Sequence, residues 1–171
     1  MINSHTVIIN VDIEKVFKQA LLWGEAEWWP KDSLMRYKRI NNSPSPYSSP
    51  RGGEEIKIIP SPLWGEGKGE GVVQVGARYH QKVLLPFAPE WDVEVVSITP
   101  NKEVTRKFLN GIFSGTDSVI LEPKKEGVEV KTVMDFDVNG YFNKLAWRFV
   151  FERMHDENLE KILKAMKGYF S

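Results

Sequence analysis

Three groups of residues in this chain have side chains and spacings that could do chemistry. The first is the run "SPLWGEGKGEG" over 61–71, where Gly65, Gly67, Gly69 and Gly71 surround Lys68. Mobile glycine backbone beside a lysine is what a phosphate cradle requires. A Walker loop, however, needs G-x-x-x-x-G-K-[ST] between a strand and a helix. Here Gly69 follows Lys68, a β-branched run follows Gly71, and Glu66 and Glu70 would repel a phosphate. The period-two glycines do not make G-x-G-x-x-G either. Phosphate binding is not expected.

The second group is the titratable side chains. His5, His80 and His155 lie far apart and form no H-x-x-x-H or H-E-x-x-H pattern. They are expected at the surface, and no metal site is expected. Asp135 and Asp137 share a strand face opposite to Met134 and Phe136, so they should be solvated. A catalytic dyad would need burial to split their proton affinities. The chain has no cysteine, which excludes disulfides, iron–sulfur clusters and thiol nucleophiles.

The third group is aromatic. Trp28, Trp29, Tyr79, Phe87, Trp91, Phe108, Phe113, Phe136, Trp147 and Phe149 are more aromatic surface than a small core strictly needs, and some of them are expected to line a ligand cavity. Met134 shares the inward parity. Polar residues with that parity are Tyr79, Gln81, Arg106, Asn110 and Thr132. Arg106 falls on one face with Val104 and Phe108. A buried arginine needs an anion, supplied either by an internal carboxylate or by a ligand. A bulge would instead turn Thr105 and Lys107 inward.

These residues need elements to place them. "TVIINV" (6–11) reads as a strand, and Asp12 can cap a helix at 13–22 with Ile13, Val16, Phe17 and Ala20 on its apolar face. "WGEAEWWP" reads as a short helical turn ending at Pro30, and 33–40 as the next strand. Residues 43–71 hold five prolines, five serines and six glycines, so a long loop insertion is expected, with "IKII" (56–59) its one strand-like piece. Its end resembles peptides encoded by interspersed repeats. Order resumes with expected strands at 72–85, 91–98, 103–112, 117–123 and 127–138. The last alternates Val128, Val130, Thr132, Met134, Phe136 and Val138 against polar residues. That pattern means an antiparallel sheet with one dry face. From about 142 to 169 a single long helix is expected. Leu145, Phe149 and Val150 mark its apolar face first, then Leu159, Ile162, Leu163, Met166 and Phe170.

The order strand, helix, short helix, antiparallel strands, long helix resembles the helix-grip fold of the START and birch-pollen-allergen superfamily, also called SRPBCC. "VDIEKVFKQALL" (11–22), "EWWP" (27–30), "VGARYH" (75–80) and "VILEPKKEGVEVKTVMDFDV" (119–138) look like motifs of that family. Its polyketide-cyclase/dehydrase-like branch looks closest. The resemblance spans about 1–42 and 72–171. It implies one α+β domain, interrupted at 43–71, with a curved sheet wrapped around the C-terminal helix and a cavity between them.

Composition narrows the function. Lysine plus arginine equals aspartate plus glutamate at 23 each, so no charge excess points to nucleic acid. The N-terminus carries Asp12 and Glu14 and lacks a long apolar run, so neither a signal peptide nor a membrane span is expected, and cytoplasmic location is the default. No cofactor is expected. The resemblance implies binding of a hydrophobic small molecule, lipid-like or aromatic. Two alternatives stand beside it: a cyclase or dehydratase using the same cavity, and a protein-interaction module like relatives that assist heat-shock ATPases. Of the inward polar groups, only Tyr79 and Arg106 stand out as acid–base candidates, so binding is favoured over catalysis.

Overall fold

The computed structural model describes residues 1–41, 73–86 and 88–171. The expected loop at 43–71, the run at 56–59 and Phe87 lie outside them. Among the described residues there are seven strands: β1 Ile2–Ile9, β2 Met35–Asn41, β3 Arg78–Val83, β4 Glu90–Thr99, β5 Glu103–Phe108, β6 Phe113–Lys124 and β7 Gly127–Val138. They form one curled antiparallel sheet in the order β1-β7-β6-β5-β4-β3-β2. Six strands run as a meander, and β1 closes onto the far edge by pairing Ile2 with Asp135 through Ile9 with Val128.

Alternation decides which face is dry. On β7 Val128, Val130, Thr132, Met134, Phe136 and Val138 are all buried, as the sequence requires, while Asp135 and Asp137 are exposed. Lys124, Lys125 and Glu126 form the exposed tip of the β6–β7 hairpin. Several boundaries differ from expectation, and glycine accounts for two of them. β3 begins only at Arg78, because Gly76 has φ +91° and bends the chain beforehand. β6 begins four residues early and runs through Gly115. A Cβ there would collide with the Asp135 carbonyl, so glycine permits the close strand approach instead of ending the strand.

Helix α1 (Ile13–Leu21) is capped as expected: the Asp12 carboxylate accepts the Glu14 amide hydrogen at 2.8 Å. Val16, Phe17 and Ala20 are buried. The segment 22–29 forms turns that stack Trp23, Trp28 and Trp29 edge to face, with Tyr37 of β2 against Trp29.

The C-terminal helix is continuous but not uniform. It comprises α2 (Tyr141–Ala146), a π-helical turn (Trp147–Phe151) and α3 (Glu152–Tyr169). The Glu152 amide donates to the Trp147 carbonyl five residues back, so the turn holds one extra residue. Everything before it is advanced by one position, about 100° around the axis. Continued backward at regular spacing, the buried stripe of α3 (Leu159, Ile162, Leu163, Met166) would put Arg148 inward. The extra residue puts Trp147 there instead, with 4% exposure. Phe149, expected on the apolar face, is 76% exposed, and Val150 and Leu145 are turned out with it. That corrects the sequence expectation, which assumed an unbroken 3.6-residue period.

Candidate functional site: a cavity between sheet and helix

The curled sheet and the C-terminal helix do not meet fully. Between them lies about 800 Å³ of empty space, its open mouth included. Its walls are apolar: Trp91, Phe108, Phe113 and Met134 from the sheet, Trp147, Phe151, Met154 and Leu159 from the helix, and Trp23 from the turn after α1. The aromatic rings interlock, with Phe113 edge-on to both Trp91 and Trp147 at 4.8 and 5.2 Å between centroids.

A few polar groups interrupt this lining. Gln81 on β3 is 2% exposed, and its Oε1 accepts the Trp91 indole N–H at 2.7 Å. Asn158 on α3 is 4% exposed, and its Oδ1 accepts the Leu34 amide at 2.9 Å and the Ser33 hydroxyl at 3.2 Å. Those donors settle which end of each carboxamide is oxygen. The remaining ends, Gln81 Nε2 and Asn158 Nδ2, are buried donors with no acceptor among the described residues. A buried donor left unpaired costs about 1–3 kcal/mol, so these two amides mark where an acceptor belongs.

A charge pair forms another corner. Arg106 on β5 stands directly opposite Asp117 on β6, with Nη1 3.9 Å from Oδ2. This is a contact of charges and not a hydrogen bond, and Arg106 Nη1 has no acceptor among the described residues either. Asp117 faces the cavity, and burial raises its carboxyl above the usual carboxylate range, with Arg106 partly opposing. The Tyr37 hydroxyl, also on the wall, is raised by burial and then by the Asp117 charge. Tyr37 owes its place to Gly24 (φ +88°), where any Cβ would overlap the tyrosine ring.

His155 completes the helix side. Burial lowers it to about 4, with the neighbouring Asp156 carboxylate, 3.7 Å from Nδ1, pulling the other way. Asp156 also accepts from Asn3 at 2.6 Å and contacts His5 Nε2 at 3.3 Å, which ties α3 to β1.

Of the residues singled out from sequence, Gln81, Trp91, Phe108, Phe113, Thr132, Met134 and Trp147 line the cavity. Arg106 does not reach it but backs Asp117, so its anion is an internal carboxylate. Three others are buried elsewhere. Trp28 packs on Trp23 and donates to Gln19 Oε1 at 2.9 Å. The Tyr79 hydroxyl accepts from Arg39 at 2.9 Å, and Phe136 packs between Phe113 and Trp147. Phe149 is outside altogether. Asn110, given inward parity, is exposed and bonded to Asp92, because β5 ends at Phe108 and alternation stops there. His80 lies on the outer face with Asp92 as expected, but His155 does not. Sequence reasoning missed Tyr37, Asp117, His155 and Asn158. Parity could have found Asp117: it opposes Arg106 and Met134 across the sheet. Helical spacing could have found Asn158, one residue before Leu159 on the buried stripe.

No family model matches the sequence, and no curated protein matches it. Solved structures do share the architecture. A Thermus thermophilus protein, TTHA0849, superposes with TM-score 0.63 at 14% identity, over 98% of this chain and 95% of that one. A START superfamily protein from Mycobacterium smegmatis gives 0.56 at 12%, over 99% and 96%. Ginseng major latex-like protein 151 from Panax ginseng gives 0.57 at 12%, over 100% and 97%. The fold is START-like, a helix-grip α+β architecture. At these identities the likeness speaks for the fold alone. Among the described residues no helix is long and apolar enough to cross a membrane, and no cluster of three or more His, Asp or Glu could hold a metal ion.

Proposed function

We propose that this protein binds a small, flat, largely apolar molecule that carries hydrogen-bond acceptors, of the aromatic or polyketide-like ketone type, between its sheet and its C-terminal helix. One observation carries this reading: two buried carboxamides, Gln81 on the sheet and Asn158 on the helix, line the cavity, and each keeps an N–H with no acceptor among the described residues. An apolar wall attracts any hydrophobe. Donors on opposite walls select one with carbonyl oxygens on both sides. The aromatic side chains of its walls favour ring systems, which can stack on them, over bulky chains.

The test is direct. Trp23, Trp91 and Trp147 line the cavity, so ligand entry should change tryptophan emission. Hydroxylated anthraquinones should bind at least tenfold more tightly than anthracene. Gln81→Glu and Asn158→Asp keep the oxygen that accepts from Trp91 or from Leu34 but remove the donors. Each should lower quinone affinity about 10–100-fold, the worth of one buried hydrogen bond lost to a repelling acceptor. Equal affinity for anthracene and anthraquinone, or no response to either, would sink the proposal.

A second reading, a cyclase or dehydratase working in the same cavity, is favoured by Asp117. A carboxyl held in an apolar wall with its proton affinity raised is suited to general acid–base work. If that reading holds, Asp117→Asn retains ligand binding and loses turnover of an enolisable β-diketone, followed as deuterium exchange at its α-carbon. Exchange no faster than in buffer would remove the enzyme reading and leave the binding reading standing.

A further inference from the structure

The π-helical turn has two faces. Trp147 and Phe151 face the cavity, while the opposite side of the same helix presents Tyr141, Phe142, Leu145, Phe149 and Val150 at 72, 84, 38, 76 and 52% exposure. Phe142, Leu145 and Phe149 follow at i, i+3 and i+7, so they form one stripe, with Tyr141 edge-on to Phe142. An exposed aromatic stripe of this kind marks an interaction surface.

Its charge identifies the partner. Between Asp137 and Glu152 the fourteen residues 138–151 contain no carboxylate and two cations, Lys144 and Arg148. Both are exposed and stand beside the stripe. The chain as a whole is neutral, so this is a local excess. A second copy packed on the stripe about a two-fold axis would bring its own Lys144 and Arg148 against these, with no carboxylate in the segment to neutralise them. An anionic lipid surface neutralises all of them. Phenylalanine and tyrosine with flanking lysine and arginine are also what an interfacial helix uses to sit at the headgroup level.

We propose that the segment Tyr141–Phe151 docks the protein on anionic membrane surfaces. Arg148 is available for this only because the π-turn replaces it inside with Trp147. One local insertion thus closes the cavity wall and frees both the cation and the aromatic stripe for the surface. Docking needs no ligand in the cavity, so it stands or falls apart from the binding reading.

Vesicle co-sedimentation of the full chain decides it. Partition onto phosphatidylcholine vesicles containing about 25% phosphatidylglycerol should exceed that onto pure phosphatidylcholine by at least tenfold and fall with added salt. Phe142→Ser with Phe149→Ser, and separately Lys144→Glu with Arg148→Glu, should each lose tenfold or more. All four side chains are exposed, so the thermal midpoint should stay unchanged. Absence of binding to phosphatidylglycerol vesicles would overturn the proposal, as would unchanged binding by both double variants. So would a dimer of the native chain in sedimentation velocity that the phenylalanine variant converts to monomer.

Discussion

At the scale of single residues, the cavity depends on groups that are neutral or paired because water is kept out. Arg106 and Asp117 illustrate the pairing. Arg106→Met leaves a carboxylate in an apolar wall and should cost about 3 kcal/mol in urea unfolding, whereas Arg106→Met with Asp117→Leu should recover most of it. Additive losses in the two single variants would show that the residues do not depend on one another. His155 illustrates neutrality. Its folded value, about 4, lies below the ordinary 6.5, so the unfolded chain takes up the proton first as pH falls. His155 therefore lends stability above pH 6.5, lost as pH drops toward 4, by roughly 3 kcal/mol at most. Asp117 acts with the opposite sign: its raised carboxyl favours the fold at low pH, an advantage lost as pH rises through its folded value. Comparison with His155→Gln isolates the histidine. The variant should show a flatter stability profile between pH 6.5 and 4, and parallel profiles would refute the assignment.

At the scale of elements, local chemistry and tertiary fit can be separated by substitution. Asp12→Ala removes an exposed side-chain cap, and about 1 kcal/mol of stability should go with it, without effect on ligand binding. Gly24→Ala is a different case. It strains a positive-φ position, costing on the order of 1–3 kcal/mol, and its methyl overlaps the Tyr37 ring. It should therefore change ligand affinity as well as thermal stability. Wild-type affinity in Gly24→Ala would mean that Tyr37 has no part in the site. The helix of 141–169 shows why its two halves differ in legibility. Leu159, Ile162, Leu163 and Met166 obey the 3.6 period and can be read from it. Phe149 lies inside the π-turn, and no sequence pattern announces a π-turn.

At the scale of the molecule, the β2–β3 junction is where the sequence places an interruption. Asn41 and Arg78 are paired neighbours, so the two ends of the segment between them are anchored side by side in the sheet. Removing 43–71 leaves residues 42 and 72–77, seven in all, to span a hairpin that needs fewer. Val73 and Ala77, both buried, are retained, as is the Gly76 amide bond to the Val95 carbonyl. The shortened chain should unfold cooperatively with a thermal midpoint close to that of the full chain. Loss of a cooperative transition would show that 43–71 contributes to the fold.

The sequence by itself determined what depends on near neighbours along the chain. Period-two alternation set the dry face of β7, and helical spacing set the stripes of α1 and α3. The Asp12 cap and the inward direction of Arg106 follow in the same way, and together they sufficed for the α+β helix-grip architecture. Which inward residues meet was decided only in three dimensions. Trp28, Tyr79 and Phe136 point inward like Gln81 and Trp91, yet they are sealed against other side chains. Parity fixes a face but not a position along a curled sheet. The cavity exists where sheet curvature and a helix with one extra residue fail to touch, and that gap belongs to no residue's local pattern.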